Sequence, residues 1–291
     1  MNNVNIFCFG FGQVAKSFIN KIRSENFKIS LSTTSTSKTC KKNINGFDYE
    51  NYFLNKEFYD ENLIKKLKDA DYILVSIPPI NGIDIVIKNF SKNIKKCKAK
   101  WITYLSATSV YGDHNGEWVN EESITKPTSP NGIARLAAEK SWLSLGTDKN
   151  FPIQIFRLSG IYSNKSNVLF RLKSGNVNLI NKQNHFFSRI HVEDISSILF
   201  KSLFNFKSGE IYNISDDKPS SSEEVILYGI KLFNMNKPKT IEVKDIKSEM
   251  LKNFYKDSKK VSNKKMKNFF NHNLKFSTYV EGLNYIRDNI I

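Results

Sequence analysis

The sequence predicts an α/β fold: a doubly wound parallel sheet with a smaller, interlaced α+β region in the C-terminal half. Two patterns carry this prediction. The first is an apolar run over residues 4–9, followed by a glycine-rich turn and then by apolar residues at helical spacing. The second is the alternation of strand-like apolar runs with helical patterns through residue 160, which favours parallel strands joined by right-handed crossovers.

The turn after the first predicted strand has the spacing G-x-G-x-x-A, from Gly10 to Ala15. Between a strand and a helix, this spacing is the fingerprint of a Rossmann dinucleotide-binding fold. The first glycine permits a tight turn, the second lets the backbone approach a pyrophosphate, and the helix N-terminus offers N–H groups to phosphate. The alternative is a turn of the same shape that binds nothing. The predicted contacts are Gly10, Phe11, Gly12, Gln13 and Val14.

The residues after the second predicted strand, at 27–32, bear on the choice of dinucleotide. NAD-binding folds place an Asp or Glu about 20 residues past the glycines, where it accepts a hydrogen bond from the ribose 2′-hydroxyl. Here hydroxyls stand instead, followed by Lys38, and no carboxylate would repel a 2′-phosphate. We therefore predict NADP in preference to NAD; the alternative is a polar loop that contacts no ligand. The hydroxyl residues are Thr33, Thr34 and Ser35.

The remaining elements follow from hydrophobic periodicity, caps and breakers. We predict helices over 62–68, 83–94, 130–145, 222–233 and 279–291. We predict strands over 71–79, where two prolines stop the apolar run, and over 101–107, 151–158 and 210–214. The helix over 130–145 begins at Ser129-Pro130, and the helix over 222–233 has Ser221 or Ser222 as its candidate N-cap. We expect the Lys-rich segment 236–275 to form short, exposed elements. The predicted organisation is an NAD(P)-binding domain over 1–160, with a late strand near 210–214, and a substrate region over 161–291.

Composition excludes several classes of protein. The net charge is +16, from 44 Lys and Arg against 28 Asp and Glu. The lysines are scattered and form no nucleic-acid motif, so we expect solvated faces and no nucleic-acid partner. Cys8, Cys40 and Cys97 lack disulfide or zinc spacing, which predicts a reducing compartment and no metal site. No signal peptide or membrane-spanning run is recognisable, which predicts a cytoplasmic protein without a membrane partner.

Four further segments resemble the extended short-chain dehydrogenase/reductase superfamily of epimerase/dehydratase type, and specifically its atypical, YeeZ-like members. They are the segments Leu105–Gly112, Arg157–Tyr162, Ile190–Ile195 and Tyr212–Pro219. The paired prolines at 78–79, Arg135–Glu139 and the tail Ser262-Asn-Lys add to the likeness. The resemblance extends over nearly the whole chain and implies NAD(P)-dependent chemistry on a small molecule.

The resemblance also marks departures. In the superfamily, a Ser/Thr and a Tyr-x-x-x-Lys pair handle the proton during hydride transfer. The corresponding positions here are Ala107, Asn131 and Arg135. Neither an amide nor a guanidinium shuttles a proton at neutral pH, so the superfamily mechanism does not carry over. The arginine that nucleotide-sugar enzymes place three residues before Ile190 is Phe187, which weakens the case for a nucleotide-sugar substrate.

Other cofactor positions carry over from the resemblance. In the superfamily, the segments that line the cofactor correspond here to the ends of two predicted strands and to the segment around residue 160. Arg135 is assigned to a ribose hydroxyl or a phosphate oxygen of the cofactor. The alternative for Arg135 is a surface ion pair with Glu139. The positions assigned in this way are Ile77, Pro78, Leu105, Ser106, Arg135 and Gly160.

Few residues remain as candidates for catalysis. Tyr111 is the first choice for a substitute acid, although a structural tyrosine satisfying a backbone group is the main alternative. His191, Glu193 and Asp194 look like a catalytic cluster, but this segment more often anchors a loop and caps a helix. Arg189 is the candidate for binding an anionic substrate.

Two hypotheses about function follow. The first is an NADP-binding epimerase, dehydratase or reductase whose acid–base group lies outside the usual trio. The second is a non-catalytic, NADP-responsive binding or regulatory protein. We also expect a possible homodimer, since many relatives pair through the helix that is predicted here over 130–145.

Overall fold

The structure is a computed structural model that describes residues 3–146 and 151–290. The chain divides into two compact units. The first unit comprises residues 1–107, 130–157 and 195–212, and the second comprises 108–129, 158–194 and 213–291.

The strands are β1 (Val4–Phe9), β2 (Ile29–Ser35), β3 (Cys40–Ile44), β4 (Phe47–Phe53), β5 (Tyr72–Val75), β6 (Trp101–Ala107), β7 (Trp118–Val119), β8 (Ile153–Leu158), β9 (Gly160–Tyr162), β10 (Leu179–Asn181), β11 (Arg189–His191), β12 (Ile211–Ile214), β13 (Thr240–Glu242) and β14 (Lys260–Val261). The α-helices are α1 (Gln13–Ser24), α2 (Leu63–Lys68), α3 (Ile85–Ile94), α4 (Pro130–Ser144), α5 (Val168–Lys173), α6 (Val192–Ser202), α7 (Ser222–Phe233), α8 (Glu249–Lys256), α9 (Lys264–Phe270) and α10 (Tyr279–Asn289).

A sheet of eight strands in the order β12-β8-β6-β5-β1-β2-β4-β3 forms the centre of the first unit. β1 pairs in parallel with β2 and β5, and β5 pairs in parallel with β6. All residues of β5 and β8 are buried, as expected of parallel strands covered on both faces. The predicted doubly wound Rossmann fold is confirmed.

The edge of the sheet differs from the sequence prediction. β2 continues through Ser35, so Thr33 and Thr34 lie in a strand and not in a loop. β3 and β4 then form an antiparallel hairpin that the sequence analysis did not predict. Its turn, Asn45-Gly46, has φ values of 50° and 74°, as a hairpin turn requires. The Asn-Gly pair was the available signal, but the polar flanking strands lack an apolar run.

Helix α1 packs against the sheet through the predicted stripe. Its buried residues are Val14, Ala15, Phe18, Ile19 and Ile22. The spacing of these residues places them on one face of the helix, while Arg23 in its last turn lies 4.8 Å from the centre of the Phe47 ring. This packing holds the start of α1 beside the end of β1.

In the second unit, α5, α7 and α10 share one hydrophobic cluster. The Ser221 side chain accepts from the Glu224 N–H at the start of α7, and Thr278 with Glu281 forms a capping box on α10. The Lys-rich segment consists of short elements as predicted, but it is not merely exposed. Tyr255 and Phe270 on α8 and α9 are buried, because these helices are amphipathic.

The two units do not follow the predicted boundaries of 1–160 and 161–291. The second unit already includes 108–129, and 195–212, with most of α6, belongs to the first. Chain composition does not mark these crossings, because both sides of each crossing carry ordinary core residues. The three cysteines are all free. None of the helices in the described parts of the chain has the length and hydrophobicity of a transmembrane segment.

Candidate functional site

The glycine turn after β1 depends on Gly10. Its φ is 83°, in the region that glycine adopts readily. A Cβ added there would lie 2.9 Å from the Ile77 Cγ1 and the Ser76 Oγ. The Gly10 N–H donates to the Thr34 Oγ1 over 2.9 Å, which attaches the turn to the end of β2. Gly10 is therefore required for the shape of the turn.

Gly12 has a different environment. It is exposed, occupies the N-cap position of α1 with a φ of −80°, and an added Cβ would have no atom within 4 Å. No side chain caps the helix, and its first turn carries no acidic residue. The first N–H groups of a helix lack partners within the helix and favour anions. The turn is thus open to a phosphate group, and the absence of a Cβ leaves space for one.

Of the hydroxyl residues of β2, Thr33 and Thr34 are fully buried, and Thr34 bonds to the glycine turn. The Thr33 hydroxyl donates to the Asn51 Oδ1 over 3.2 Å, and the Thr34 hydroxyl accepts from Gly10. Ser35, at the end of β2, is only half-buried and is the member of the run with exposed surface.

The predicted cofactor residues at the ends of β5 and β6 lie at the carboxyl edge of the sheet. Ile77 is half-buried and Pro78 is exposed just beyond β5, and Leu105 and Ser106 end β6. The Ser106 Oγ is buried and has no hydrogen-bond partner among the described residues. Ligands of doubly wound sheets bind beyond this edge, so these residues lie where the sequence analysis expected them.

Arg135 projects from α4 to the same edge. Its Nη1 donates to the Leu105 carbonyl, and its guanidinium lies 6.0 Å from the centre of the Tyr104 ring. Asp84, which caps α3 and accepts from the Trp142 Nε1 over 2.8 Å, adds an electrostatic interaction with Arg135. Burial raises the pKa of the Asp84 carboxyl, partly offset by its hydrogen bonds. Arg135 is therefore a fixed cation at the end of β6.

The alternative partner proposed for Arg135 is wrong. Glu139 is buried and accepts from Arg157, with 2.8 Å between the Arg157 Nη2 and the Glu139 Oε2. The Arg157 Nε also donates to the same carboxylate. Both side chains lie on the inner side of α4 and β8, so the pair is internal, whereas the sequence spacing suggested a surface pair.

The second unit contains Tyr111, the predicted substitute acid. It is fully buried, and its hydroxyl donates to the Asn213 Oδ1 over 2.7 Å. The Asn213 Nδ2 in turn donates to the Ser262 carbonyl. This arrangement favours the structural alternative for Tyr111, because a buried, bonded hydroxyl is not presented to a ligand. A catalytic role stays a prediction.

The His191 segment is also structural in its contacts. Two backbone N–H groups, of Lys275 and Phe276, donate to the Asp194 carboxylate and anchor the chain before α10. The His191 Nδ1 accepts from the Glu193 N–H, and its ring lies 4.2 Å from that of Phe276. Burial lowers the pKa of His191 to about 4 and raises that of Asp194 to about 6. These groups stabilise the second unit.

A cavity of about 710 Å³ lies within the second unit, between β9, α5, β11, α7, α8 and α10. Arg171 and Arg189 are the charged residues among the described residues that line it. The Arg189 Nη1 donates to the Phe187 and Ser220 carbonyls over 3.0 and 2.9 Å. The aromatic lining comes from Tyr162, Phe187, Phe254, Tyr255 and Tyr279.

Gly160 lies in the wall of this cavity. Its N–H donates to the Ser188 carbonyl over 3.0 Å, and an added Cβ would overlap the Phe187 ring. Close packing against Phe187 explains a glycine here, and its predicted contact with a cofactor stays a prediction. Sequence reasoning identified Arg189 but missed Arg171 and Tyr255. The amphipathic spacing of Leu251, Phe254 and Tyr255 was the available signal.

No group of His, Cys, Asp and Glu side chains in the described residues could hold a metal ion.

A comparison with known protein families matches residues 86–215 to the NAD dependent epimerase/dehydratase family. A comparison of the chain with curated protein sequences found no match.

Several solved structures resemble the chain over nearly its full length. A functionally unknown conserved protein from Silicibacter pomeroyi is 27% identical with a TM-score of 0.86, and the match covers 99% of both chains. UDP-N-acetylglucosamine 4-epimerase from Bacillus cereus is 16% identical (TM-score 0.76, 100% and 99% covered). dTDP-glucose 4,6-dehydratase from Bacillus anthracis, solved with NAD, is 18% identical (TM-score 0.76, 99% and 96% covered). At these identities the epimerase and the dehydratase show the fold alone.

Proposed function

We propose that the protein is an NAD(P)-binding enzyme of epimerase/dehydratase type that prefers NADP and works without the usual catalytic trio. The observation that carries the proposal is the open turn at Gly12. Backbone amides at the start of α1, with no capping side chain and no Cβ in the way, suit a pyrophosphate. The match of residues 86–215 to a family named for NAD dependence supports it.

The preference for NADP is supported by the end of β2. Ser35 is the half-exposed residue there, and Lys38 follows three residues later. An NAD enzyme typically has a carboxylate at this point, which would repel a 2′-phosphate. The net charge of +16 also favours the more anionic dinucleotide.

The bound dinucleotide would supply the hydride chemistry. The residues of the chain would bind and orient it: the turn amides would hold its phosphates, and Arg135 would hold a ribose hydroxyl or a phosphate oxygen. Arg135 is already fixed by the Leu105 carbonyl, which reduces the conformational entropy lost on binding. Its guanidinium stabilises negative charge but does not exchange a proton at neutral pH.

The substrate region is the second unit. The names of the epimerase and the dehydratase indicate nucleotide-sugar substrates for those proteins. Here Arg189 lines a cavity and is the proposed contact for an anionic small molecule.

A second candidate is a non-catalytic, NADP-responsive binding protein. Three observations favour it: Ala107 and Asn131 carry no proton-handling group, and the Tyr111 hydroxyl is already bonded inside the second unit. Turnover of NADPH with a panel of carbonyl and sugar substrates discriminates the two. NADPH binding without any turnover would establish the second candidate. Turnover that survives in Tyr111→Phe would exclude Tyr111 as the acid.

The direct test of dinucleotide binding is Gly12→Val, measured by calorimetric titration with NADPH and NADH. The backbone of Gly12 and the empty space around it accept a side chain, so the protein should stay folded. Valine would block the approach of the pyrophosphate, and we expect NADPH affinity to fall at least about tenfold, the equivalent of one charge-assisted hydrogen bond. Asn20→Val, on the exposed face of the same helix, is the control. Equal affinity in Gly12→Val and wild type would contradict the proposal.

The preference for NADP is tested by Ser35→Glu. A carboxylate at the end of β2 should weaken NADPH binding by repulsion of the 2′-phosphate and should strengthen NADH binding relative to it. The ratio of the two dissociation constants is the measurement. Tighter binding of NADH than of NADPH by the wild-type protein would overturn the preference without affecting the dinucleotide site.

A further inference from the structure

The cavity of the second unit combines a positive end with an apolar wall. Beside Arg171 and Arg189, the described lining is neutral, and most of it is aliphatic or aromatic. Its volume of about 710 Å³ is that of a typical small-molecule site. A cavity with this distribution complements a ligand whose charge is confined to one end.

Arg189 is held in place with part of its hydrogen-bonding capacity unused. Its hydrogen bonds to the Phe187 and Ser220 carbonyls are both made by the same nitrogen, Nη1. Among the described residues no carboxylate forms an ion pair with it; Asp216 and Glu224 interact with it electrostatically from a greater distance. Burial lowers the pKa of Arg189 only to about 10, so the guanidinium is charged at neutral pH. A buried charge without a close counter-ion favours binding of an anion.

Asp216 does not neutralise this charge by contact. It is buried, its Oδ2 has no hydrogen-bond partner among the described residues, and burial raises its pKa well above the ordinary value.

Arg171 and Tyr255 lie beside Arg189 at the same end. Both guanidiniums act to lower the pKa of the Tyr255 hydroxyl, although burial raises it overall. The Tyr255 ring is stacked on His185 with 4.8 Å between the ring centres, and its hydroxyl bonds to Ser222. An anionic head placed here would therefore meet two guanidiniums and a positioned hydroxyl.

Aromatic side chains lie next to Arg189, whose guanidinium carbon is 5.1 Å from the centre of the Phe187 ring. Phe187 packs against Phe254 with 4.3 Å between the ring centres and fills the space above Gly160. Phe187 stands where nucleotide-sugar enzymes carry an arginine. Among the polar lining residues, the Asn167 side chain already caps α5 and donates to the Ser163 carbonyl. Unpaired hydroxyls of a buried sugar would be costly in this environment.

We propose that this cavity binds an organic anion, with a carboxylate or phosphate head on Arg189 and Arg171 and a ring-bearing apolar body against Phe187 and Phe254. The inference rests on the proposed function, whose substrate class it names. It separates this chain from the nucleotide-sugar enzymes that share its fold.

Calorimetric titration with defined probes tests this. Two aryl anions, phenyl phosphate and 3-phenylpropionate, distinguish a phosphate head group from a carboxylate head group. The comparison ligands are 3-phenylpropanol, inorganic phosphate and UDP-glucose. We expect one aryl anion to bind more tightly than all three comparisons. Failure of both aryl anions to bind, or tighter binding of UDP-glucose, would overturn the proposal.

Substitution of Arg189 and Arg171 tests whether these residues bind the anionic head group. Arg189→Gln should weaken the better aryl anion about tenfold or more, the effect of losing a charge-assisted hydrogen bond. Because Arg189 also bonds two carbonyls, Arg171→Gln provides a second variant on an exposed side chain, with an expected loss of about threefold or more. Arg23→Gln, on α1, is the control for a general change in charge. Unchanged affinity in both cavity variants would overturn the proposal.

NADPH is titrated into the same samples, which separates this inference from the proposed function. Intact NADPH binding without aryl-anion binding overturns the substrate class alone. Loss of NADPH binding by the wild-type protein overturns the proposed function.

Discussion

Gly10 and Gly12 show how one residue type serves two purposes within three positions. Gly10 has a positive φ and no room for a Cβ, so it determines the shape of the turn. Gly12 has an ordinary φ and free space, so it determines what can approach the turn. The sequence motif predicted both glycines, but only the coordinates separate the structural one from the one that leaves the site open.

This difference predicts opposite effects of the same substitution. Gly10→Ala should lower the free energy of unfolding by about 2 kcal/mol or more, from the left-handed backbone and the contact with Ile77. Gly12→Ala should change it by less than about 1 kcal/mol, because an N-cap glycine is only modestly better than alanine. Chemical denaturation measures both. Equal losses would show that the turn is shaped differently from the structure described.

At the scale of elements, a capping side chain joins two helices of the first unit. The Asp84 Oδ1 accepts from the Val86 and Ile87 N–H groups at the start of α3, and its Oδ2 accepts from Trp142 on α4. The Asp84 carboxylate thus caps the start of α3 and attaches α3 to α4. The sequence predicted both helices from their apolar spacing, but not this contact, since the residues are 58 positions apart.

Asp84→Ala should be more damaging than the loss of an ordinary cap. We expect the free energy of unfolding to fall by about 2–4 kcal/mol, from a lost cap of about 1 kcal/mol and an unsatisfied Trp142 N–H. Ser221→Ala, which removes the cap of α7 without a second partner, is the matched control and should lose about 1 kcal/mol. Similar losses in the two variants, measured by thermal unfolding, would argue against the Trp142 contact.

At the scale of the whole molecule, buried titratable groups link stability to pH. His191 has a folded pKa of about 4 against an ordinary 6.5, so its contribution is present above pH 6.5 and lost as the pH falls towards 4. Asp194 has a folded pKa of about 6 against an ordinary 3.8, so its contribution is lost as the pH rises through that interval. The two effects have opposite signs in overlapping windows and partly cancel in the wild-type protein.

Substitution reveals each effect separately. The stability difference between wild type and His191→Phe should increase by up to about 3 kcal/mol in favour of wild type from pH 4 to pH 6.5. The difference between wild type and Asp194→Asn should move in the opposite direction from pH 4 to pH 6. Urea denaturation at closely spaced pH values gives both curves. Curves that run parallel to that of wild type would show that neither group changes its protonation on folding.

The sequence alone determined the Rossmann fold and the glycine turn, because local periodicity and glycine spacing are written along the chain. Only the tertiary structure decided which polar side chains are bonded internally and which line the turn or the cavity. Thr34 supports the turn, Tyr111 is bonded inside the second unit, Glu139 pairs with Arg157, and Arg171 joins Arg189 at a cavity. The partner of a side chain depends on residues far away in sequence, and linear spacing carries no information about them.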